Sequence, residues 1–200
     1  MRGNYTDIKK RQKVYLKYIK KIPKESLKSF PFLDAGFGRG EFLDMLKEKG
    51  IKNAIGVDIN KKSVVQALKK GIKAVDGDIN KYLYLQTESL SGISAFHIIE
   101  HMSFAQFFDF LILARDRLIT KGVLIMETPN IENILVSSLT FYYDHTHQLK
   151  LPRLLIKSLL EFIGFRKIKF LYLHPAKNKN ITKDDELLYG PQDLGVIAYK

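Results

Sequence analysis

The chain has 200 residues, 46% of them hydrophobic, a formal net charge of +12 and no cysteine. This length and composition fit one domain with a buried core, and the lack of thiols excludes disulfides and cysteine nucleophiles. No apolar run reaches the length of a membrane span, and the basic segment 1–20 lacks the apolar stretch of a signal peptide. We therefore expect a soluble cytoplasmic protein.

The positive charge could indicate a nucleic acid or an anionic membrane as partner. The lysines, however, are scattered through the predicted helices and turns instead of forming one run. We interpret the charge as a solvated surface and do not expect a nucleic-acid partner. An anionic or lipid-linked acceptor, with peripheral membrane contact, is compatible with it.

Residues 8–22 have the pattern of a basic amphipathic helix, with Asp7 as its candidate N-cap and Pro23 beyond its end. Such a helix can pack across the edge of a sheet or over a pocket. We predict that residues 1–30 form a helical lid within a single domain that spans residues 1–200.

Three glycines spaced two apart follow an apolar run that predicts a buried strand, and they precede an amphipathic segment. The stretch is Phe32-Leu33-Asp34-Ala35-Gly36-Phe37-Gly38-Arg39-Gly40-Glu41-Phe42. Glycines here allow positive φ and let the backbone approach a ligand at a helix start. The pattern D-x-G-x-G-x-G differs from the dinucleotide G-x-G-x-x-G by the acid that precedes its first glycine. A carboxylate would repel a pyrophosphate but can organise a loop that holds an ammonium group, which favours S-adenosylmethionine (SAM) over NAD.

The next predicted strand ends in another acid. A helix is predicted at 41–49 with Gly50 as its cap, followed by a buried strand at 54–59 that carries Asp58 near its carboxyl end. Asp58 lies 18 residues past Gly40, at the next turn from strand to helix. A carboxylate there can accept both hydroxyls of a ribose, although it could also only cap a helix.

A third strand and turn add the residues predicted to hold the adenine ring. After a helix at 61–70, residues 73–79 form this strand and turn. Asp78 is placed to accept a hydrogen bond from the adenine amino group. Ile59 and Ile79 can form apolar walls on either side of the ring.

The second half continues the alternation and then interrupts it. We predict, in order, a strand at 93–101 that ends in polar residues, a helix at 104–119, a strand at 122–128, an insertion at 131–152, a helix at 154–163, a strand at 166–173, a mobile loop at 174–192 and a strand at 194–199. The insertion contains three aromatics beside an acid and two histidines. We expect it to lie over the cofactor site and to contact the acceptor.

Strands that alternate with helices of this length predict an α/β fold with a doubly wound, Rossmann-like parallel sheet. In such sheets, ligands bind outside the carboxyl ends of the strands. The glycine loop, Asp58, Asp78 and His97 would therefore gather at one edge. The spacing of the glycine loop and these residues along the chain is consistent with a nucleotide-type cofactor site.

With these residues assembled, the chain resembles the class I SAM-dependent methyltransferases over essentially its whole length. It is most similar to those of bacterial surface polysaccharide synthesis, including the methyltransferase half of O-antigen chain terminators. The stretches that carry this closer resemblance are Arg11-Gln12-Lys13-Val14-Tyr15, Phe96-His97-Ile98-Ile99-Glu100-His101-Met102-Ser103-Phe104, Glu127-Thr128-Pro129-Asn130-Ile131-Glu132-Asn133, Phe141-Tyr142-Tyr143-Asp144-His145-Thr146-His147 and Tyr189-Gly190-Pro191-Gln192-Asp193. The chain departs from that branch at Phe37, His145 and Lys150.

The resemblance implies a seven-stranded sheet with one antiparallel strand near the C-terminus, and SAM as the cofactor. It implies methyl transfer to an oxygen, on a sugar hydroxyl or terminal phosphate of a bacterial surface polysaccharide or its precursor. The acceptor would then be a sugar, a glycan or a phosphorylated small molecule. The cofactor-binding residues would be Arg11, Asp34, Gly36, Gly38, Gly40, Asp58, Ile59, Asp78, Ile79 and His97.

Methyl transfer from SAM requires alignment of the acceptor oxygen and, for a hydroxyl, removal of a proton. The candidate catalytic residues are His97, Glu100, His101 and His147. We predict His97 or His101 as the base and Glu100 as its orienting partner. Alternatively, Glu100 and His101 only cap the following helix.

The predicted acceptor contacts come from the insertion: Tyr142, Tyr143, Asp144 and His147. A phosphate acceptor would need no general base. In that case Arg39, Lys150 or Arg153 could neutralise its charge instead.

Two other interpretations remain open. His97, Glu100, His101 and His147 could converge on a divalent ion, which is similar to the small-RNA 2′-O-methyltransferases. Those enzymes have a glutamate where His97 stands here, so we predict no metal in the preferred interpretation. Finally, the chain could be a non-catalytic scaffold or regulator with the SAM-binding fold.

Overall fold

The computed structural model describes residues 3–176 and 185–200. Within these two ranges, seven strands form one sheet. The strands are β1 Phe32–Ala35, β2 Ala54–Asp58, β3 Lys73–Asp76, β4 Leu90–Phe96, β5 Leu118–Pro129, β6 Arg166–Pro175 and β7 Pro191–Tyr199. The α-helices are α1 Tyr5–Gln12, α2 Leu16–Ile19, α3 Lys24–Ser29, α4 Glu41–Glu48, α5 Lys61–Lys69, α6 Ile79–Leu85, α7 Phe104–Arg117, α8 Ile134–Ser138, α9 Arg153–Ile163 and α10 Glu186–Tyr189.

The strand order is β3-β2-β1-β4-β5-β7-β6. Strands β1 to β5 pair in parallel, whereas β7 is antiparallel to both of its neighbours, β5 and β6. The predicted doubly wound sheet with one antiparallel strand near the C-terminus is therefore confirmed. The winding reverses between β1 and β4, which is where open α/β sheets bind their ligands.

Helices cover both faces of the sheet, so the central strands can be apolar along their whole length. On one face, α7 and α9 bury side chains such as Phe107 and Leu160. On the other face, α4 and the N-terminal segment bury side chains such as Phe42 and Tyr15. The N-terminal segment is thus part of the core on the side where α4 leaves the glycine loop.

The N-terminal helix begins earlier than predicted and is not continuous. Asn4, and not Asp7, is its N-cap, because the Asn4 side chain accepts a hydrogen bond from the Asp7 N–H at 2.8 Å. The helix also tightens to a 3₁₀ turn at Lys13–Tyr15 between α1 and α2. Tyr15 in that turn is fully buried, so the tighter turn places its side chain in the core.

The fourth strand ends before the polar residues that were predicted to close it. Strand β4 stops at Phe96, and His97 leaves it with a φ of 53°. A 3₁₀ turn follows at Ile99–His101. This turn brings the side chains of His97 and Glu100 together, with Nδ1 and Oε1 3.2 Å apart, which a continued strand would not do.

The segment predicted as an insertion contains α8 and a 3₁₀ turn at Thr140–Tyr143. It is joined to the end of β4 through the backbone. The N–H groups of Gln148 and Leu149 donate to the carbonyl of Glu100 at 2.8 and 3.0 Å.

Most of the described part of the predicted loop at 174–192 is regular structure. Strand β6 extends to Pro175, α10 follows the gap, and β7 begins at Pro191, because the ladder between β6 and β7 continues to that pair. Residues 177–184 of the prediction lie outside the described residues. Among the described helices, none combines the length and the apolar composition needed to cross a bilayer.

Candidate active site

The glycine loop between β1 and α4 has the backbone that its sequence predicts. Gly36, Gly38 and Gly40 have φ values of 62°, 57° and 84°. An added Cβ at Gly36 would also lie 2.2 Å from Cγ2 of Ile98. Only glycine fits there, so the chain can turn tightly at the carboxyl end of β1.

Asp58 ends β2 and holds the glycine loop in place. One carboxylate oxygen accepts the N–H of Gly38 and the other accepts the N–H of Asn60, both at 2.8 Å. Because each carboxylate oxygen has two lone pairs, each can still accept a ligand hydroxyl. The predicted ribose contact is therefore chemically compatible with the structural role that Asp58 already has.

The other predicted cofactor residues lie around the same edge of the sheet. Asp34 in β1 is buried and accepts a hydrogen bond from the Ser94 hydroxyl on β4 at 2.7 Å. Asp78 is the N-cap of α6. Ile59 is 77% exposed, whereas Ile79 is packed in the core. Ile59 is thus the one of this pair that offers an open apolar surface to an adenine ring.

A cavity of about 700 Å³ opens at this edge, next to Gly36. Helix α1 contributes Ile8, Arg11 and Gln12 to its lining. The predicted site residues that line it are Arg11, Gly36, His97, Glu100, His101, Tyr143, Asp144 and His147. Those outside the lining are Asp34, Gly38, Gly40, Asp58, Ile59, Asp78, Ile79 and Tyr142. A cavity of this size can hold a small molecule.

His97 lines the cavity with carboxylates against both of its ring nitrogens. Nδ1 lies 3.2 Å from Glu100, and Nε2 lies 3.2 Å from Glu127 and 3.7 Å from Asp193. Burial lowers the pKa of His97, but the hydrogen bonds and the nearby negative charges outweigh it and raise that pKa well above its usual value. Carboxylates against both ring nitrogens favour the protonated ring, which argues against the predicted role of His97 as the base.

Four residues around His97 were not predicted from the sequence: Tyr15, Glu127, His174 and Asp193. The Tyr15 hydroxyl donates to Glu127, and burial together with the Glu127 charge raises the pKa of Tyr15, which keeps this donor protonated. Nδ1 of His174 lies 2.7 Å from Asp193. Tyr15, Glu127 and Asp193 stand in stretches that carry the closer resemblance, and Glu127 also lies near the end of the fifth strand as Asp58 does at the end of the second. His174 had no such signal.

His101 and His147 are oriented by partners of their own. Nδ1 of His101 lies 2.8 Å from the Thr146 hydroxyl, which itself donates to Asp144 at 2.5 Å. Nδ1 of His147 donates to the carbonyl of Phe141 at 2.6 Å. This network assigns the proton of each neutral ring to Nδ1 and leaves Nε2 as an acceptor.

The four residues predicted as one catalytic or metal-binding cluster divide into two groups. Ring nitrogens of His101 and His147 and a carboxylate oxygen of Glu100 all lie within 4.8 Å of one another. His97 groups instead with the carboxylates contributed by β5 and β7. The four residues therefore do not face one point, because Nε2 of His97 faces those two strands while its Nδ1 contacts Glu100.

The three basic residues that could neutralise a phosphate acceptor lie outside the cavity. Arg39 and Arg153 form ion pairs with nearby glutamates at 2.6 and 3.4 Å, and Lys150 lies over the ring of Tyr142. None of these three side chains lines the cavity. They do not supply positive charge to it.

Comparison with known sequences gives one partial match. A model of the family described as methionine biosynthesis protein MetW matches residues 15–91, from the N-terminal 3₁₀ turn to the start of β4. This range includes the glycine loop and Asp58. A search of curated protein sequences found no match to the chain.

Solved structures match over nearly the whole chain. A SAM-dependent methyltransferase from Archaeoglobus fulgidus is 28% identical, with a TM-score of 0.86 over 99% of this chain and 95% of that one. The phosphoethanolamine N-methyltransferase 2 of Haemonchus contortus, solved with phosphomonomethylethanolamine and S-adenosylhomocysteine, is 15% identical, with a TM-score of 0.68 over 94% of this chain and 52% of that one. The methyltransferase domain of the bacterial CtHen1-CN is 15% identical, with a TM-score of 0.66 over 98% and 100%. These likenesses show the class I methyltransferase fold.

Proposed function

We propose that this SAM-dependent methyltransferase transfers its methyl group to a sugar hydroxyl of a bacterial surface polysaccharide or of its cytoplasmic precursor. The observation that carries the proposal is the pair of acceptor nitrogens on His101 and His147, in a cavity that adjoins the glycine loop. The resemblance to polysaccharide methyltransferases supports the choice of acceptor.

Such a transfer needs alignment of the oxygen with the methyl group and a base for its proton. As the new C–O bond forms, the C–S bond of SAM breaks and S-adenosylhomocysteine leaves. The hydroxyl proton passes to Nε2 of His101 or His147. His97 does not fit this role, because carboxylates face both of its ring nitrogens.

The charges in the cavity favour a neutral hydroxyl over a phosphate. Its lining includes the cationic side chain of Arg11 and, in larger number, the carboxylates of Glu100, Glu127, Asp144 and Asp193. These groups would repel a phosphate, whereas they can accept hydrogen bonds from sugar hydroxyls. The acceptor is therefore proposed to react at a hydroxyl.

Two tyrosines in the 3₁₀ turn of residues 140–143 support a sugar as the acceptor. Tyr143 lines the cavity with 74% of its surface exposed, and Tyr142 beside it is 60% exposed. An aromatic ring offers an apolar face and a polar tip. A sugar ring could pack on such a face while its hydroxyls bond to the carboxylates.

The test is an acceptor screen by mass spectrometry, with nucleotide-linked sugars, lipid-linked glycans and single-stranded RNA as candidates. We expect a SAM-dependent gain of one methyl group on a glycan. His147→Gln should lower kcat by about 10²–10⁴-fold if His147 is the base. His145→Gln is the matched control, because His145 is exposed and outside the cavity lining.

A second candidate is metal-dependent 2′-O-methylation of RNA. It is favoured by the proximity of Glu100, His101 and His147, whose residue types suit a divalent ion. Methylation of RNA that requires Mn²⁺ and stops with EDTA, without methylation of any glycan, would replace the sugar proposal. Unchanged glycan turnover in both His101→Gln and His147→Gln would remove these residues from the chemistry.

A further inference from the structure

A group of metal-ligand side chains lies beside the residues used above. His97, Glu127 and Asp193 place one ligand atom each within 4.8 Å of one another. His174 joins them from the end of β6. The four residues thus come from the ends of four strands, β4, β5, β6 and β7, which meet at this edge of the sheet.

The distances between their donor atoms resemble those of a coordination sphere. Nε2 of His97 lies 3.2 Å from Oε1 of Glu127 and 3.7 Å from Oδ1 of Asp193. Nδ1 of His174 lies 2.7 Å from Oδ2 of Asp193 and 3.8 Å from Oε1 of Glu127. Ligands placed about 2.1 Å from a tetrahedral ion are roughly 3.4 Å apart. These four distances scatter around that value. The donor atoms that all lie within 4.8 Å of one another are those of His97, Glu127 and Asp193, so the His174 ring would have to shift to complete the sphere.

The groups that contact His97 and Glu127 on the side away from the proposed ion are those that metal ligands usually have. Nδ1 of His97 contacts the fully buried Glu100, which leaves Nε2 to face the group. The other oxygen of Glu127 accepts the Tyr15 hydroxyl. A carboxylate behind a ligating histidine and a donor behind a ligating carboxylate fix the orientation of both ligands.

The backbone conformation of the two histidines and the net charge of the group also support a bound cation. His97 and His174 have φ values of 53° and 54°, a conformation that is uncommon for non-glycine residues and that Lys121 and Lys167 also adopt. The largely buried carboxylates of Glu100, Glu127 and Asp193 outnumber the two imidazoles. Even with both rings protonated, an excess of negative charge remains, and a cation would offset its cost of burial.

We propose that His97, Glu127, His174 and Asp193 form a binding site for a divalent transition-metal ion. Two imidazoles and two carboxylates suit Zn²⁺ or a neighbouring transition metal better than Mg²⁺ or Ca²⁺, which prefer oxygen ligands alone. Its ligands differ from the group of Glu100, His101 and His147, although Glu100 contacts Nδ1 of His97. It does not depend on which acceptor the enzyme methylates.

The test is metal binding by the untagged chain after removal of metals with EDTA. Binding of titrated Co²⁺ is followed by its visible absorption. The number of Zn²⁺ ions bound per chain is measured by inductively coupled plasma mass spectrometry. His174→Ala and Asp193→Asn each remove one ligand. His147→Ala removes a histidine of the other group, and His145→Ala removes one that belongs to neither.

The expected result is one equivalent of metal that His174→Ala and Asp193→Asn lose or bind at least about tenfold more weakly. His145→Ala and His147→Ala should retain this equivalent. Zn²⁺ should also raise the Tm of the wild-type chain, which tests the site even if one variant fails to fold. The proposal is overturned if the wild type binds no metal. It is also overturned if folded His174→Ala and Asp193→Asn bind as much as the wild type.

Discussion

The carboxylate of Asp58 accepts two backbone N–H groups before any cofactor is bound. Replacing it with alanine would leave both donors without their partner, at a cost of about 1–3 kcal/mol each if they stay buried. A loss of cofactor affinity in that variant could then come from a disordered loop alone. Asparagine is a milder substitution, because its one acceptor oxygen keeps one of the two backbone contacts, and thermal unfolding reports the loss of the other.

We predict that Asp58→Asn weakens S-adenosylhomocysteine binding at least about tenfold, because an amide has one acceptor oxygen for two ribose hydroxyls. Asn60→Ala is the matched control. Asn60 caps α5 in the same turn, so its loss should cost about 1 kcal/mol of stability and leave the affinity unchanged. Calorimetry and thermal unfolding measure both quantities. Unchanged affinity in Asp58→Asn would contradict the ribose assignment.

The site residues on the parallel strands could be predicted from the sequence. Those on β6 and β7, which pair antiparallel to each other, could not. Asp58 and Asp78 follow strands whose carboxyl ends must meet at one edge of a parallel sheet. His174 and Asp193 lie on β6 and β7. Asp193 reaches both His97 and His174 only because β7 inserts between β5 and β6. Nothing in the alternation of strands and helices specifies that order.

At the scale of elements, α1 is held against α4 by polar contacts at its outer side. The Tyr5 hydroxyl donates to Asp44, and Lys9 pairs with Glu48 at 2.6 Å. The same helix lines the cavity with Arg11 and two other residues. A ligand in the cavity would therefore be covered by α1. This position is what the predicted role of α1 as a lid requires.

We predict that Tyr5→Phe combined with Lys9→Ala speeds both association and dissociation of S-adenosylhomocysteine. The two contacts together stabilise the closed position by about 1–2 kcal/mol, so opening should become about five- to thirtyfold more frequent. Stopped-flow binding gives both rate constants. Lys28→Ala, which breaks an exposed pair on α3, is the control. Rate constants equal to those of the wild type would show that α1 does not gate the site.

Differences between predicted and observed elements have local causes. Strand four was extended too far because His97 and the residues after it are apolar or β-compatible, and the positive φ of His97 cannot be read from a histidine. Helix α6 was missed because its sequence, Ile79-Asn80-Lys81-Tyr82-Leu83-Tyr84-Leu85, contains strand-favouring aromatics. Its N-cap, Asp78, had been interpreted only as an adenine contact.

At the scale of the whole molecule, the alternation of strands and helices predicted the sheet, and the glycines and strand-end acids predicted the edge that binds ligands. The antiparallel strand came from the resemblance alone. The net charge of +12 does not describe the site, because the cavity is lined by several carboxylates whereas Arg39, Lys150 and Arg153 lie outside its lining. The surface and the cavity therefore differ in sign, which a count of charges cannot show.

The central claim is that the glycine loop and the strand-end acids form a SAM site. Isothermal titration of the purified chain with S-adenosylhomocysteine, with and without EDTA, tests it most directly. We predict one site per chain with a Kd in the micromolar range that EDTA does not change, because the cofactor is held by the loop and the acids. No binding under either condition would contradict the account and favour a non-catalytic scaffold.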